Sequence, residues 1–194
     1  PYLLKYNLVK KVTHIIITAH FSDHLDEESL KFFNKNIPIY TTHEASNTLL
    51  KLGFTNINVV TPNKTYELNS FTIKIFKAGK PYNTTTFSYL LSDSRSKIFH
   101  EPHMFNEKIE FDYVDACIVT VDMVKVLGLV QVSMDLNQAK LAQAQLNARY
   151  VIPTGIAPKQ TRGLISFLLR IKESYKQMNL IPSSCSQVGD SLSL

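Results

Sequence analysis

The side chains best suited to chemistry stand directly after a short apolar run. Residues 14–18 are rich in isoleucine, which predicts a central buried β-strand, and His20, Asp23 and His24 follow in a polar turn. In α/β sheets, functional residues collect at the carboxyl ends of strands. A carboxylate beside an imidazole can offer a metal ion one oxygen and one nitrogen ligand. The alternative is structural: Asp23 caps the next helix, and the histidines are ordinary polar residues of a turn.

The elements that position these residues follow an α/β pattern. Strands are predicted at 14–18, 37–40, 57–60, 71–76, 86–91, 96–99, 116–119 and 150–153. Helices are predicted after Asp26 and over 43–52, 136–146 and 163–178, with Thr42 and Asp135 as N-caps and Gly53 as a C-terminal stop. A hairpin turn at 92–95 and βα units at both ends predict a mixed sheet with helices outside it. A last strand is predicted at 191–194.

The composition fits one packed domain over residues 1–194, with 44% hydrophobic and 19% charged residues. No apolar run reaches the roughly 18 residues of a membrane span. The two cysteines, Cys117 and Cys185, exclude a disulfide-stapled scaffold and a cysteine zinc cluster. The net charge of +5 comes without a dense basic run, which does not favour a nucleic-acid partner. Because the chain begins at Pro1 without methionine, we expect it to be N-terminally incomplete or processed.

Four motifs occur in an order that resembles a known family. Residues 18–26, Thr-Ala-His-Phe-Ser-Asp-His-Leu-Asp, resemble the Thr-His-x-His-x-Asp-His-Leu-Asp signature of the metallo-β-lactamase fold superfamily. Residues 78–80, 99–103 and 151–155 fall where that family has Pro-Gly-His, a strand ending in Gly-Asp, and Pro-x-His. The Glu-Pro-His at 101–103 also resembles a plant and cyanobacterial branch. The resemblance implies an αββα sandwich of mixed sheets with outer helices, whose first strands are missing ahead of Pro1.

The departures from the signature remove one metal position. The histidines that hold the first metal in this superfamily correspond here to Ala19, Phe21 and Lys80. None of the three can replace an imidazole, and the Lys80 ammonium would repel a cation. His20 is offset by one residue, and one step along an extended chain points a side chain the other way. The resemblance therefore implies that the first metal site is lost.

The second metal position keeps part of its ligands. Asp23 and His24 match the family, whereas the last histidine of the family corresponds to Gly155. The bridging position falls on Glu101 or His103, and either could serve as the ligand. The resemblance implies that Asp23, His24, Glu101 and His103 hold a single divalent ion, zinc first, with iron and manganese as alternatives. The other interpretation is that Glu101 and His103 form hydrogen bonds with Asp23 and His24 without any metal.

The implied function is a metal-dependent hydrolase of unknown substrate, in which Asp23 and His24 are the catalytic residues and a metal-activated water attacks an ester, amide or phosphoester. The alternative is a catalytically inactive member that serves as a binding module or complex subunit. The apolar segment 119–132 could line a substrate pocket, form a contact in a homo-oligomer or complex, or belong to the core. The resemblance and the composition are consistent with a soluble intracellular protein, in a plastid-type organelle if the plant branch applies.

Overall fold

The computed structural model describes residues 8–82, 85–154, 168–172 and 194. After a 3-10 turn at Val9–Lys11, three helices are present in these ranges: α1 (Glu27–Leu30), α2 (His43–Lys51) and α3 (Leu136–Gln145). The strands of the same ranges are β1 (Ile15–Ile17), β2 (Ile39–Thr41), β3 (Ile57–Val59), β4 (Thr65–Leu68), β5 (Phe71–Lys77), β6 (Phe87–Ser92), β7 (Lys97–Glu101), β8 (Val114–Thr120), β9 (Met123–Val126), β10 (Val130–Gln131), β11 (Ala148–Thr154) and β12 (Leu169–Lys172).

The strands form one parallel, one mixed and one antiparallel sheet. The first sheet has the order β1-β2-β3, and all its strands run parallel. The second sheet has the order β11-β8-β7-β6-β5-β4, in which β7, β8 and β11 are parallel and the remaining pairs are antiparallel. The third sheet is small and antiparallel, with the order β10-β9-β12. The mixed sheet and its central hairpin confirm the α/β expectation.

Both longer helices begin at the residues that the sequence predicts. The Thr42 hydroxyl accepts the backbone N–H of Ala45 at the start of α2, and Gly53 ends that helix with a φ of 84°. At the start of α3, Asp135 and Gln138 form a reciprocal capping box. The longest helix of the described residues has only ten residues, and none has the length and hydropathy of a membrane-spanning segment.

Three apolar clusters separate the layers in the order helix, sheet, sheet, helix. Their positions follow from the alternation of side chains along each strand. The first cluster joins α2 to the first sheet through Ile17, Ile39, Ala45, Leu49 and Phe54. The second lies between the two large sheets and contains Tyr40, Leu68, Ile73, Ile75 and Phe87. The third packs the second sheet against α3 through residues such as Leu90, Phe99, Cys117, Ala139 and Ala142. This layering is the αββα arrangement.

Several sequence predictions are wrong in detail. Among the described strands, β1 is an edge strand rather than a central one, and only Ile17 of it is buried. The helix predicted over 163–178 is contradicted at 169–172, where the chain forms β12 and pairs with β9. The Leu/Ile spacing predicts an amphipathic helix. In the structure, Leu169–Lys172 alternate between half-buried and exposed side chains, as the residues of a strand do. The strand predicted at 191–194 lies outside the described residues except for Leu194.

The segment 119–132 does not behave as one unit. Val119 and Val121 are fully buried in the third cluster, as the core interpretation predicts. Leu127 and Leu129, by contrast, are strongly exposed on the β9–β10 turn. Two different environments therefore account for one continuous apolar run.

The loop before β6 passes very close to the loop after β7 at Gly79. The backbone N–H of Gly79 donates to the carbonyl of Met104 at 2.6 Å. A Cβ at position 79 would lie 2.5 Å from the carbonyl oxygen of Phe105 and 2.7 Å from that of Met104. Both obstacles are backbone atoms, so they cannot rotate away. Only glycine allows these two loops to touch.

We therefore predict that Gly79→Ala destabilises the protein by about 1–3 kcal/mol, because the two loops must separate. Urea unfolding followed by circular dichroism measures the change. Gly53→Asn is the control, because the space around Gly53 is open and asparagine tolerates a positive φ. A Gly79→Ala variant as stable as the wild type would contradict the close approach.

Candidate functional site

The turn after β1 holds both the backbone and one ring nitrogen of His24. The backbone N–H groups of His24 and Leu25 both donate to the carbonyl of Phe21, at 2.9 and 2.8 Å. The Thr18 hydroxyl lies 2.6 Å from Nδ1 of His24, which leaves Nε2 as the outward-facing nitrogen. Ala19 forms an isolated antiparallel bridge with Thr86, ahead of β6. The hydrogen bonds shape the turn, and the bridge attaches it to the segment that enters the second sheet at β6.

Asp23 lies beside His24 but faces the solvent. Its Oδ2 is 3.8 Å from Nε2 of His24, and its side chain is 74% exposed. Burial lowers the pKa of His24, and the Asp23 carboxylate acts in the opposite direction. The helix that follows is capped by Asp26, whose carboxylate accepts the backbone N–H of Glu28. The alternative role of Asp23 as helix cap is therefore wrong.

The loop after β7 holds His103 through its backbone. Oε1 of Glu101 accepts the N–H of His103 at 2.9 Å. The carbonyl of His103 accepts the Thr120 hydroxyl at 3.0 Å and the N–H of Met134 at 3.1 Å. Both polar groups of the His103 backbone are thus hydrogen-bonded, to partners from three different segments. These bonds fix the position from which the imidazole side chain extends.

The two loops bring four rings together. The ring centroids of His24 and His103 lie 4.5 Å apart, which confirms that the Glu-Pro-His segment reaches the turn after β1. Tyr82 stacks on His103 at 4.3 Å with an interplanar angle of 16°, and its hydroxyl donates to the carbonyl of Val132 at 3.0 Å. The ring of Phe21 lies 6.0–6.2 Å from those of His24, His103 and Tyr82. Sequence reasoning missed Tyr82, since no motif marks it.

Two polar atoms of this cluster are buried without a hydrogen-bond partner among the described residues: Nε2 of His103 and Oε2 of Glu101. The Glu101 side chain is completely buried, and burial raises its pKa to about 8. The Ser88 hydroxyl beside it lowers the pKa somewhat, although its geometry falls short of a hydrogen bond. Burial, together with the neighbouring His24, lowers the pKa of His103 to about 4. Burial thus favours the neutral forms of both the His103 imidazole and the Glu101 carboxyl group.

Of the substituted positions, Phe21 alone contributes a ring to this contact. His100 pairs with Tyr89 across β6 and β7 and faces the side of the sheet opposite to Glu101. Burial, together with the nearby His24, lowers the pKa of His100 to about 4, and its Nδ1 is buried without a hydrogen-bond partner among the described residues. His20 and Lys80 are exposed, and His20 packs only on Phe21, with ring centroids 4.4 Å apart. Ala19 is fully buried.

The described side chains do not complete a metal site. No three histidine, cysteine, aspartate or glutamate side chains within the described ranges lie close enough to hold an ion together. Two imidazoles meet, but the Asp23 carboxylate faces solvent, and one carboxylate oxygen of Glu101 is used by the His103 backbone. Gly155, at the last ligand position of the family, lies outside the described residues. The arrangement supplies nitrogen donors and a buried acid without a third converging ligand.

The protonation of Glu101 gives a pH-dependent prediction. Between pH 4.5 and 8 the unfolded chain releases this proton while the folded chain keeps it, so the group makes the fold less stable as the pH rises. The Glu101→Gln variant has no ionisable group at this position, so this decrease in stability with rising pH should disappear. We predict that the variant gains stability relative to the wild type by on the order of 2–4 kcal/mol between pH 5 and pH 8.

Urea unfolding at both pH values, in the presence of a chelator, measures this gain. The exposed Glu67 provides the control variant Glu67→Gln, which should show no such pH dependence. Parallel stability curves for the wild type and Glu101→Gln would mean that the carboxyl group is ionised in the fold.

Known structures share this fold at low sequence identity. The chain is similar to a possible metal-dependent hydrolase from Veillonella parvula, with 14% identity and a TM-score of 0.60 over 76% of this chain and 63% of that one. It is also similar to the metallo-beta-lactamase fold protein YhfI from Bacillus subtilis, with 18% identity and a TM-score of 0.61 over 78% and 68% of the two chains. A third similar structure is an isothiocyanate hydrolase from Delia radicum gut bacteria, with 16% identity and a TM-score of 0.62 over 77% of this chain and 64% of that one.

These comparisons show the fold, and the chain spans only about two thirds of the length of each of these three structures. No curated protein sequence matches the chain. The sequence itself matches the family model of the beta-lactamase superfamily domain over residues 2–155, which includes the turn after β1, the Glu-Pro-His segment and β11. This chain belongs to the beta-lactamase superfamily, in its metallo-β-lactamase fold.

Proposed function

We propose that this chain is a hydrolase whose site, around His24 and His103, has fewer ligands than a full site and holds one divalent metal ion, with zinc as the preferred metal. The observation that supports the proposal is the meeting of these two imidazoles, 4.5 Å apart, beside the Asp23 carboxylate. Imidazole and carboxylate are the ligands of catalytic zinc sites, which keep an open position for water or substrate. A bound ion of this kind supplies Lewis acidity and lowers the pKa of water.

Some residues of the site would position the metal ligands, and another would transfer a proton. The Thr18 hydroxyl occupies Nδ1 of His24, so Nε2 is the nitrogen left for a ligand. Glu101 uses Oε1 to hold the His103 backbone, which favours His103 over Glu101 as the ligand. Asp23 is exposed and is therefore able to exchange a proton with a substrate or with solvent.

A second ion has no place in this proposal. Ala19 is buried and offers no donor atom, and the ring of Phe21 lies 6.0 Å from His103 and 6.2 Å from His24. The Phe21 ring takes up space beside the imidazoles and, like Ala19, offers no donor atom to a second ion. The substitutions of the first metal position thus favour packing in place of coordination.

A second candidate function is a binding module without catalysis. It is supported by the stacking of Tyr82 on His103 and by the lack of three converging ligands within the described ranges. In that case the buried polar cluster stabilises the contact between the two loops, and the substrate-facing surface serves recognition alone.

Metal titration separates the two candidates. We predict that the chelator-treated protein takes up one zinc ion per chain, and that His24→Ala with His103→Ala lowers the affinity at least about tenfold because both imidazole donors are lost. Calorimetry with elemental analysis measures both. His43→Ala at the start of α2 is the control and should bind as the wild type does. Two ions per chain would contradict the reduced site, and no uptake would favour the binding module.

Hydrolysis gives an independent test. We predict that the zinc-loaded chain cleaves a chromogenic ester or phosphodiester, and that Asp23→Ala with His24→Ala reduces the rate by about two orders of magnitude or more. The His43→Ala variant should keep the wild-type rate. Hydrolysis that survives the double substitution would place the reaction elsewhere in the chain.

A further inference from the structure

The turn between β9 and β10 is a tight hairpin with an unusual residue in it. The N–H of Leu129 donates to the carbonyl of Val126 at 3.0 Å, and both central residues, Leu127 and Gly128, have positive φ angles of 53° and 69°. Two positive φ angles define a type I′ turn, for which asparagine or aspartate followed by glycine is preferred. Leucine in the first position is energetically unfavourable, since its Cβ is crowded in the left-handed region.

Within the described residues, no core packing offsets this unfavourable conformation. Leu127 is 64% exposed and Leu129 is 82% exposed, and the neighbouring Val130 and Leu168 are exposed as well. The N–H of Leu127 donates to the carbonyl of Leu168 at 2.7 Å, so these aliphatic side chains belong to one surface. An aliphatic side chain kept at a strained, exposed turn indicates that its contact lies outside the described chain.

The third sheet behind the turn is amphipathic. Paired residues of an antiparallel sheet share a face, so the pairing of β9 with β12 places Val124, Val126, Leu169 and Ile171 on one side. None of these four is buried, and none belongs to the three core clusters.

The opposite side of the sheet is cationic. It carries Lys125, Arg170 and Lys172, and Cγ of Arg170 lies 3.9 Å from where a Cβ of Gly128 would be. The ion pairs found among the described residues do not involve these three side chains. Exposed leucines therefore stand next to positive charges that no described carboxylate neutralises.

We propose that this surface, the hairpin tip Leu127–Val130 with Leu168 and the cations of β9 and β12, docks on an anionic lipid bilayer. The charges would attract acidic headgroups, and the leucines would insert at the boundary between headgroups and acyl chains. The proposal is independent of hydrolysis at the His24–His103 site.

The chemistry of the tip favours a bilayer over a protein partner. Protein interfaces concentrate binding in aromatic side chains and arginine seated in well-packed pockets. Here the side chains at the tip itself are aliphatic, and tyrosine, phenylalanine and histidine do not occur between residues 123 and 132. Short aliphatic chains on a convex turn fit a fluid surface better than a preformed pocket.

The test is co-sedimentation of the full chain with phosphatidylcholine vesicles that contain or lack phosphatidylglycerol. Leu127→Asn is the decisive variant, because it removes the apolar side chain and creates the preferred Asn-Gly turn. We expect it to lower binding about tenfold while it leaves thermal stability equal or higher, so misfolding cannot explain the loss. Leu50→Gln on α2 is the matched control, since Leu50 is 60% exposed and lies elsewhere.

A second arm tests the charges. Replacing Lys125, Arg170 and Lys172 together by glutamine should lower binding to the anionic vesicles at least about tenfold. The same triple change at Lys74, Lys77 and Lys108, which surround a separate cavity of about 360 Å³, should leave it unchanged.

Three results would overturn the proposal. The first is a wild-type chain that does not sediment with phosphatidylglycerol vesicles. The second is Leu127→Asn binding as tightly as the wild type. The third is a wild-type dimer in gel filtration that Leu127→Asn converts to a monomer without any vesicle binding, because the tip would then be a contact between copies of the chain.

Discussion

The site depends on how the backbone of His103 is held. Its N–H is bound by the Glu101 side chain at the end of β7, and its carbonyl is bound by Thr120 at the end of β8 and by Met134 ahead of α3. These three segments belong to the best-packed region of the molecule, between the second sheet and α3. The imidazole is therefore positioned by the core itself, while His24 reaches it from a turn outside the core. An uncharged, buried Glu101 suits this role, because a neutral carboxyl group loses less hydration on burial than an ion does.

Aromatic packing surrounds the two imidazoles of the candidate site. The turn between β1 and α1 carries Phe21 with His24, and the loop after β7 carries His103, so the Phe21 ring lies 6.0 Å from the His103 ring. Phe21 lies edge-on to His24, and Tyr82 stacks on His103. Such aromatic pairs stabilise the contact between the two loops by about 0.5–1.5 kcal/mol each beyond the area that they bury.

Local patterns in the sequence predict most of the fold but only part of the site. Caps such as Thr42 and Asp135 act within one turn of chain, so sequence alone locates α2 and α3. The order of family motifs is enough to expect His24 near His103. The edge position of β1 and the strand at 169–172 depend on which strands pair, which short sequence windows do not contain. Tyr82 was missed for the same reason, since its ring meets His103 only through the loop contact at Gly79.

The bridge between Ala19 and Thr86 has a consequence for how the molecule opens. His24 follows β1 of the first sheet and precedes Leu25 of the first apolar cluster, whereas His103 follows β7 of the second sheet and its carbonyl accepts the N–H of Met134 in the third cluster. Cooperative units of folding often coincide with such clusters and open separately. Local opening of the first sheet would part the two imidazoles and leave the second sheet, α3 and the anchored His103 intact. The lifetime of the site is then set by the weaker of two units, and it can be shorter than that of the folded chain.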